Sequence, residues 1–326
     1  MPFKPNRAIR DWLEFAPAWM LLKLLGLLPR KAALASGRLI CLIVHLVHGR
    51  LRRTANRNLC LAMPELHADG RKAIITGVFE NLGRLLAEFS RFPKMTKSNV
   101  QEIVIYDGFE NYRRAAERGR GVLFLTGHLG AWELCAFAQG LYGFPLSFLV
   151  RPIDNPLVDA LIKRYRELSG NQTINKNESV RKVLTSLKNG RAVGFLIDVN
   201  TLEDEGEFCE FFGIPACSTT GLATFALRTN APVVPGFIHW DERLKRHRLT
   251  FEPEVNLIRT GDFKDDVRSN TALFTSIIEN HVRRRPEQWL WVHKRWRTRP
   301  QGERGLYDAS APANSNPPTV KSPLNA

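Results

Sequence analysis

Residues 122–138 read VLFLTGHLGAWELCAFA, and this stretch predicts how the chain folds. A short, continuous apolar run is typical of a strand buried on both faces, and it gives way to a glycine-flanked junction and a second apolar run typical of a helix. His128 and Glu133 lie at the junction, five residues apart. One interpretation is a turn that contains a hydrogen-bonded core histidine. The other is a general base with a carboxylate that orients it.

The same order of elements recurs along the rest of the chain. Helical periodicity predicts helices over 71–91, 109–118, from 132 onward, 156–168, 178–188, 222–228 and 265–284. Apolar runs predict strands over 102–106, 121–126, 146–150, near 173, 192–197, 232–237 and 248–251. We interpret the acid-rich residues 203–216 as a loop. Alternation of this kind predicts an α/β fold with a central, mainly parallel sheet flanked by helices.

The positive charge of the chain is concentrated in two segments. The formal net charge is +15 over 326 residues. Residues 1–57 carry eleven Lys and Arg against two acids, and residues 281–299 carry seven against one. Patches of this kind predict an anionic partner, for which an anionic membrane surface and nucleic acid are the usual candidates.

The composition of the amino-terminal segment favours the membrane. Apolar blocks over 15–29 and 39–47 are flanked by basic residues, which is typical of a segment lying in a bilayer interface. Neither block reaches the ~20 uncharged residues that span a bilayer. We therefore predict membrane-associated helices over residues 1–60, either monotopic or with one short anchor helix. The alternative is two ordinary core helices with solvated basic ends.

The remaining boundaries follow from composition. Residues 61–299 are predicted to form the α/β domain, and residues 300–326, rich in Pro, Ser, Asn and Ala, a disordered tail. The five cysteines fit no metal spacing, so no metal site is predicted and the thiols are expected to be free. Free thiols and the lack of a signal peptide predict a protein that faces the cytoplasm.

Three polar clusters follow predicted strands, at the end of a parallel sheet where ligands gather. They are His128 with Glu133, Arg151 with Asn155, and Asp198 with Asn200. For the first pair to meet, His128 must lie in the loop and Glu133 in the first turn of the helix. Backbone amides near Gly130 are then predicted to hold an oxyanion. No nucleophilic side chain is needed if the substrate brings its own hydroxyl, so the pattern suits direct acyl transfer to an alcohol.

Other residues leave more than one interpretation open. Arg151 suits phosphate or carboxylate binding, or is a surface residue. Asp198 could bind a sugar hydroxyl, hold Arg151 or cap a loop. Phe211 and Phe212 could line an acyl-chain slot or pack beneath the loop. Residues 286–296 combine three tryptophans with basic residues, which suits a membrane interface or stacking on single-stranded nucleic acid.

Taken in order, these motifs resemble the bacterial lipid A biosynthesis acyltransferase family, which belongs to the lysophospholipid acyltransferase superfamily. The resemblance covers roughly residues 12–299. Its motifs are GHLGAWE at 127–133, RPIDNP at 151–156, Asp198, FFGIPA at 211–216 and PEQWLWVHKRW at 286–296.

The resemblance implies transfer of a fatty acyl group to a hydroxyl of a glycolipid such as a lipid A precursor, at the cytoplasmic face of the bacterial inner membrane. The donor would be an acyl carrier protein or coenzyme A thioester, with no further cofactor. His128 would be the general base and Glu133 its partner, with Arg151 and Asn155 binding substrate. Val199 stands where the family usually has glutamine, which leaves the role of Asp198 open.

Three other functions remain as alternatives. The first is acylation of another lipid, such as a lysophospholipid or a glycosylated phospholipid. The second is hydrolysis of the same thioesters, with water in place of the alcohol. The third is a non-enzymatic basic protein that binds membranes or nucleic acid. The acyltransferase interpretation predicts no nucleic-acid partner, and the non-enzymatic alternative gives no reason for the polar residues at the strand ends.

Overall fold

The computed structural model describes residues 7–175 and 179–308. Helices α1 to α4 come first, over Arg7–Leu27, Arg30–Val47, Gly49–Ala62 and Ala68–Ser90. Later helices are α5 (Lys97–Val100), α6 (Phe109–Ala116), α7 (Trp132–Leu141), α8 (Pro156–Glu167), α9 (Ser179–Lys188), α10 (Gly221–Thr229) and α11 (Phe263–Arg284). The strands are β1 (Val104–Asp107), β2 (Val122–Thr126), β3 (Leu146–Val150), β4 (Gln172–Asn175), β5 (Ala192–Leu196), β6 (Gly206–Phe211), β7 (Ile214–Thr219), β8 (Val233–Asp241) and β9 (Arg246–Phe251).

Seven of these strands form the central sheet, in the order β1-β9-β8-β2-β5-β3-β4. All neighbouring pairs are parallel except β8 and β9, which are antiparallel. Strand β2 is buried along its whole length, as expected for the centre of a parallel sheet covered by helices on both faces. The predicted α/β fold with a mainly parallel sheet is confirmed.

One element of the prediction is wrong. Residues 206–219, which overlap the acid-rich loop predicted over 203–216, form the antiparallel hairpin of β6 and β7, outside the main sheet. Phe212 and Gly213 make its turn with φ of 56° and 70°. A phenylalanine in the left-handed region is unusual, so the sequence carried no ordinary turn signal at its first position.

The amino-terminal helices pack on the α/β body and also leave apolar residues exposed. Helix α2 crosses α4 where Gly37 faces Gly83, so closely that a Cβ on either glycine would meet the backbone of the other helix. Exposed large apolar side chains lie on α1 (Ile9, Trp12, Leu13, Trp19, Met20, Leu24, Leu27) and on α2 (Leu39, Ile43, Leu46, Val47). No single helix in the described part of the chain is long and apolar enough to span a membrane. Helices α2 and α3 taken together meet that requirement by length and composition, but they are bent by 86° relative to each other.

The carboxyl-terminal segment differs from the prediction in two respects. Trp289, Trp291 and Trp296 are each at most 2% exposed, so their place is the core and not a membrane or nucleic-acid surface. The ordered chain also continues past residue 300. The Tyr307 hydroxyl donates to Asn58 Oδ1 at 2.6 Å and so fastens this segment to α3. The rest of the predicted tail, 309–326, lies outside the described residues.

Candidate active site

The sheet brings His128 and Asp198 together. Strands β2 and β5 are parallel neighbours in which Thr126 pairs with Leu196, so the residues that follow the two strands leave the same edge side by side. Each strand ends two residues before its polar side chain. The meeting of the two side chains is therefore a consequence of strand register, across 70 residues of sequence.

Asp198 fixes the histidine through both of its oxygens. Oδ1 lies 2.9 Å from His128 Nδ1, and Oδ2 accepts the backbone N–H of His128 at 2.7 Å. Oδ2 also accepts the indole N–H of Trp289 at 2.8 Å. A carboxylate on Nδ1 holds the neutral imidazole in the tautomer that leaves Nε2 unprotonated. In the described structure Nε2 has no protein partner, and the side chain is 22% exposed.

The electrostatics of the pair favour a charged imidazole. Burial by itself would lower the pKa of His128, but the charge of Asp198 and its hydrogen bond outweigh burial and raise the pKa above the usual 6.5. Glu133 adds to this effect and Arg166 opposes it. Burial would raise the pKa of Asp198, yet His128, the Trp289 indole and the His128 amide lower it to about 2. The carboxylate is thus ionised at neutral pH.

The prediction that Glu133 hydrogen-bonds to His128 is wrong. Glu133 lies in the first turn of α7 and accepts two hydrogen bonds from the Arg166 guanidinium, Oε2 from Nε at 2.9 Å and Oε1 from Nη2 at 2.6 Å. Arg166 lies on α8, which packs beside α7. The two residues are 33 positions apart, and no local pattern announces the pair. Glu133 therefore acts on His128 through its charge and not through a hydrogen bond.

The two glycines of the junction have distinct reasons for being glycine. A Cβ on Gly127 would lie 3.1 Å from the Asp198 carboxylate, and Gly130 has φ of 58° and stands where a Cβ would clash with the backbone carbonyl of Ile238. The predicted oxyanion role of the Gly130 amide is wrong, because that N–H donates to the Gln288 carbonyl at 2.9 Å. The adjacent first turn of α7 has no side-chain cap, which leaves its leading amides without a capping acceptor.

Arg151 and Asn155 occupy different environments. Arg151 follows β3, the strand next to β5, and is exposed at the same edge of the sheet. Asn155 is buried and caps α8, because its Oδ1 accepts the amides of Leu157 and Val158. Its Nδ2 donates to the Asp11 carbonyl and to Glu14, both on α1. Direct contact of Asn155 with substrate is thus not supported, since its amide is already used to join α8 to α1.

Phe211 and Phe212 belong to the core and do not line an open slot. Phe211 packs against Trp289 and Trp296 with ring centroids 5.4 and 6.0 Å apart, and it is fully buried. Phe212 packs against Trp291 at 5.7 Å. The prediction that both residues line an acyl-chain pocket is therefore wrong. The structure shows the alternative, in which they pack in the core beneath the hairpin.

A second layer holds the loop that carries Asp198. The fully buried Arg295 guanidinium donates to the carbonyls of Val199 and Cys217, and burial lowers its pKa to about 10. His293 Nε2 accepts the backbone N–H of Asn200 at 2.9 Å, and burial lowers the pKa of His293 to about 4. His293 is thus neutral and structural. Within residues 7–175 and 179–308, no group of three or more His, Cys, Asp or Glu could hold a metal ion.

Together the fold and site define an α/β enzyme with a carboxylate-fixed histidine at the carboxyl edge of its sheet, suited to removing a proton from a substrate hydroxyl. Residues 2–298 match the family described as bacterial lipid A biosynthesis acyltransferase. The chain belongs to this family and is an acyltransferase, which confirms the resemblance seen in the motifs.

Individual relatives agree with the family match. The chain is 30% identical to the lipid A biosynthesis palmitoleoyltransferase of Escherichia coli K12, over 79% of this chain and 82% of that one. It is 25% identical to the lauroyltransferase of the same organism, over 91% and 94%. The crystal structure of the 1-acyl-sn-glycerophosphate acyltransferase PlsC from Thermotoga maritima aligns with a TM-score of 0.36 and 17% identity, over 78% of this chain and 98% of that one.

Proposed function

We propose that the enzyme transfers a fatty acyl group from an acyl thioester, carried by acyl carrier protein or coenzyme A, to a hydroxyl of a lipid A precursor. The observation that carries the proposal is His128, held by Asp198 through Nδ1 and open at Nε2. The acceptor follows from the names of the relatives, which are lipid A palmitoleoyl, lauroyl and myristoyl transferases.

The reaction needs one proton acceptor and one oxyanion site. Nε2 of His128 takes the proton of the acceptor hydroxyl as its oxygen attacks the thioester carbonyl, and the resulting imidazolium is stabilised by Asp198 and by the charge of Glu133. The uncapped amides in the first turn of α7 hold the tetrahedral oxyanion. When the carbon–sulfur bond breaks, the imidazolium returns the proton to the departing thiolate. The products are the ester and the free thiol.

The rim of the site is cationic, which suits the anionic substrates. Arg151 is exposed at the end of β3, and Arg166 is partly exposed beside Glu133. A lipid A precursor carries phosphates and both thioester carriers are acidic, so a guanidinium at the rim has a partner of opposite charge. Arg151 thus keeps its proposed role in substrate binding.

The enzyme is proposed to lie on the cytoplasmic face of the inner membrane through α1 and α2. Their exposed apolar residues recur at helical spacing among exposed basic residues such as Lys23 and Arg38. Replacing Leu13 and Leu46 by glutamine should weaken cosedimentation with anionic vesicles by about tenfold. Leu202→Gln, equally exposed but on the loop before β6, serves as the control and should bind as wild type does. Equal binding of all three proteins would contradict the assignment.

The reaction is tested by acyl transfer in detergent with labelled acyl thioesters on both carriers. The acceptors are lipid A precursors, lysophospholipids and glycosylated phospholipids, so that the other lipid acceptors are tested in parallel. Product should depend on the lipid A precursor and fall by about 10²–10⁴-fold in His128→Ala. Thioester turnover that no acceptor accelerates would identify a hydrolase instead. Full activity of a folded His128→Ala would remove His128 as the base.

A further inference from the structure

The Asp198 carboxylate receives one hydrogen bond from a residue far away in sequence. This bond reaches Oδ2 and not Oδ1, the oxygen that faces the imidazole. Trp289, 91 residues further along the chain, donates its indole N–H to Asp198 Oδ2 at 2.8 Å. The side chain is 2% exposed, and its ring packs against Phe211 and Trp291, which fixes its position. Trp289 and Leu129 also form an isolated antiparallel bridge, so the backbone of the tryptophan is tied to the loop of His128 itself.

We propose that Trp289 is a positioning residue for the acyl transfer, whose indole N–H holds Asp198 in the orientation that serves His128. The inference rests on the proposed function, in which His128 is the general base. It assigns to the segment 286–296 a part in the reaction beyond the packing of its tryptophans. The indole is suited to this part because it donates one hydrogen bond and cannot accept one, so it can only face the carboxylate oxygen.

Three N–H groups bind the two oxygens of Asp198. Oδ1 faces His128 Nδ1, while Oδ2 receives the His128 backbone amide at 2.7 Å and the Trp289 indole. Without the indole, the backbone amide of His128 alone holds Oδ2, so the carboxylate stays near the imidazole but is less firmly oriented. Its charge would then be spread over one donor fewer and would stabilise the imidazolium more strongly. Loss of the indole should therefore raise the pKa of His128.

The other charged groups near the pair stay the same in this comparison. Glu133 on α7 and Arg166 on α8 face His128, and His293 and Arg295 face Asp198. None of the four is hydrogen-bonded to Trp289. Replacement of the indole by a phenyl ring thus changes one hydrogen bond to Asp198 and leaves these charges in place.

The test compares Trp289→Phe with Trp291→Phe. Trp291 is equally buried, but its indole donates to the Pro286 carbonyl at 2.7 Å, so the control loses an indole and a hydrogen bond without altering Asp198. We measure kcat, KM and the pH dependence of kcat for acyl transfer. In Trp289→Phe, kcat should fall by about tenfold with KM within about twofold, and the acidic limb should move up by about half to one pH unit. In Trp291→Phe the acidic limb should not move.

An acidic limb that stays in place or moves down in Trp289→Phe would overturn the inference while leaving the proposed function intact, provided that His128→Ala is inactive. Full activity of His128→Ala would overturn both. If Trp289→Phe does not fold, NMR of the ¹⁵N-labelled indoles in Trp132→Phe gives the answer, because Trp132 is the tryptophan in contact with the imidazole. One of the remaining indole N–H signals should titrate together with the acidic limb of the rate. If none titrates, the inference is wrong.

Discussion

Two of the histidine–carboxylate pairs in the described structure have similar chemistry but behave in opposite ways. His128 and Asp198 meet at 2.9 Å, and His247 on β9 and Glu88 on α4 meet at 3.2 Å. Both carboxylates are buried. Yet the pKa of His128 is raised above the usual 6.5, and the pKa of His247 is lowered below it.

The difference comes from what else the carboxylate holds. Glu88 Oε1 accepts two hydrogen bonds from the Arg30 guanidinium, at 2.9 and 2.6 Å, so its charge is already balanced before His247 is considered. Burial is then the largest influence on His247 and lowers its pKa, with Arg30 and Arg84 acting in the same direction. Among the described residues, the hydrogen-bond donors to Asp198 other than the His128 imidazole are the neutral His128 amide and Trp289 indole, so its charge remains available to an imidazolium.

The two histidines also differ in their exposure to solvent. The side chain of His128 is 22% exposed, whereas that of His247 is completely buried. A substrate hydroxyl can therefore reach one imidazole and not the other. A buried histidine–carboxylate pair is by itself no sign of catalysis. It needs a free ring nitrogen at a surface and a carboxylate that no arginine has neutralised.

The largest effect is expected from Asp198→Asn. An amide that donates to Nδ1 would leave the proton on Nε2, so His128 could no longer act as a base, and kcat should fall by about 10²–10⁴-fold. The measurement is single-turnover acyl transfer by protein shown to be folded by circular dichroism. The equivalent change in the other pair, Glu88→Gln, should leave kcat of the folded enzyme unchanged. A similar fall in kcat for both variants would erase the distinction between the pairs.

Stability should show the reverse ranking. Glu88→Gln removes the buried charge that balances Arg30, and it should lower the free energy of unfolding by roughly 3 kcal/mol. Urea denaturation measures the change. Glu254→Gln is the control, because its ion pair with Arg118 is more than half exposed on the arginine side and should contribute less than about 1 kcal/mol. Equal losses in the two variants would show that Glu88 has no special structural role.

The smallest effect lies in how stability depends on pH. The lowered pKa of His247 contributes stability above pH 6.5, and this contribution is lost as pH falls through the folded-state value. The raised pKa of His128 contributes stability below pH 6.5, and that contribution is lost as pH rises through the folded-state value. As the pH falls from about 7.5 to 5, His247→Gln should therefore lose less stability than the wild type loses, and His128→Gln should lose more. Unfolding curves at a series of pH values measure how the free energy of unfolding of each variant, relative to wild type, changes with pH. A change of the same sign in both variants would contradict the assignment.

Much of this architecture could be predicted because it depends on local order along the chain. The apolar run at 122–126, the glycine junction and the helix that follows gave a strand, a loop and a helix in the right places. The same alternation gave the mainly parallel sheet, and that in turn put His128 and Asp198 at one edge. The hairpin at 206–219 was not predicted, because the first residue of its turn is a phenylalanine with positive φ.

Partners across long sequence separations could not be predicted in this way. The sequence by itself determined the type of fold, the strand ends and the residues that stand there, because hydrophobic periodicity and glycine placement are properties of neighbouring residues. Only the tertiary structure decided that Asp198 takes the imidazole while Arg166 takes Glu133, and that three tryptophans in a basic segment lie in the core. Strand register and helix packing set those contacts, and both arise from burying surface between segments distant in sequence.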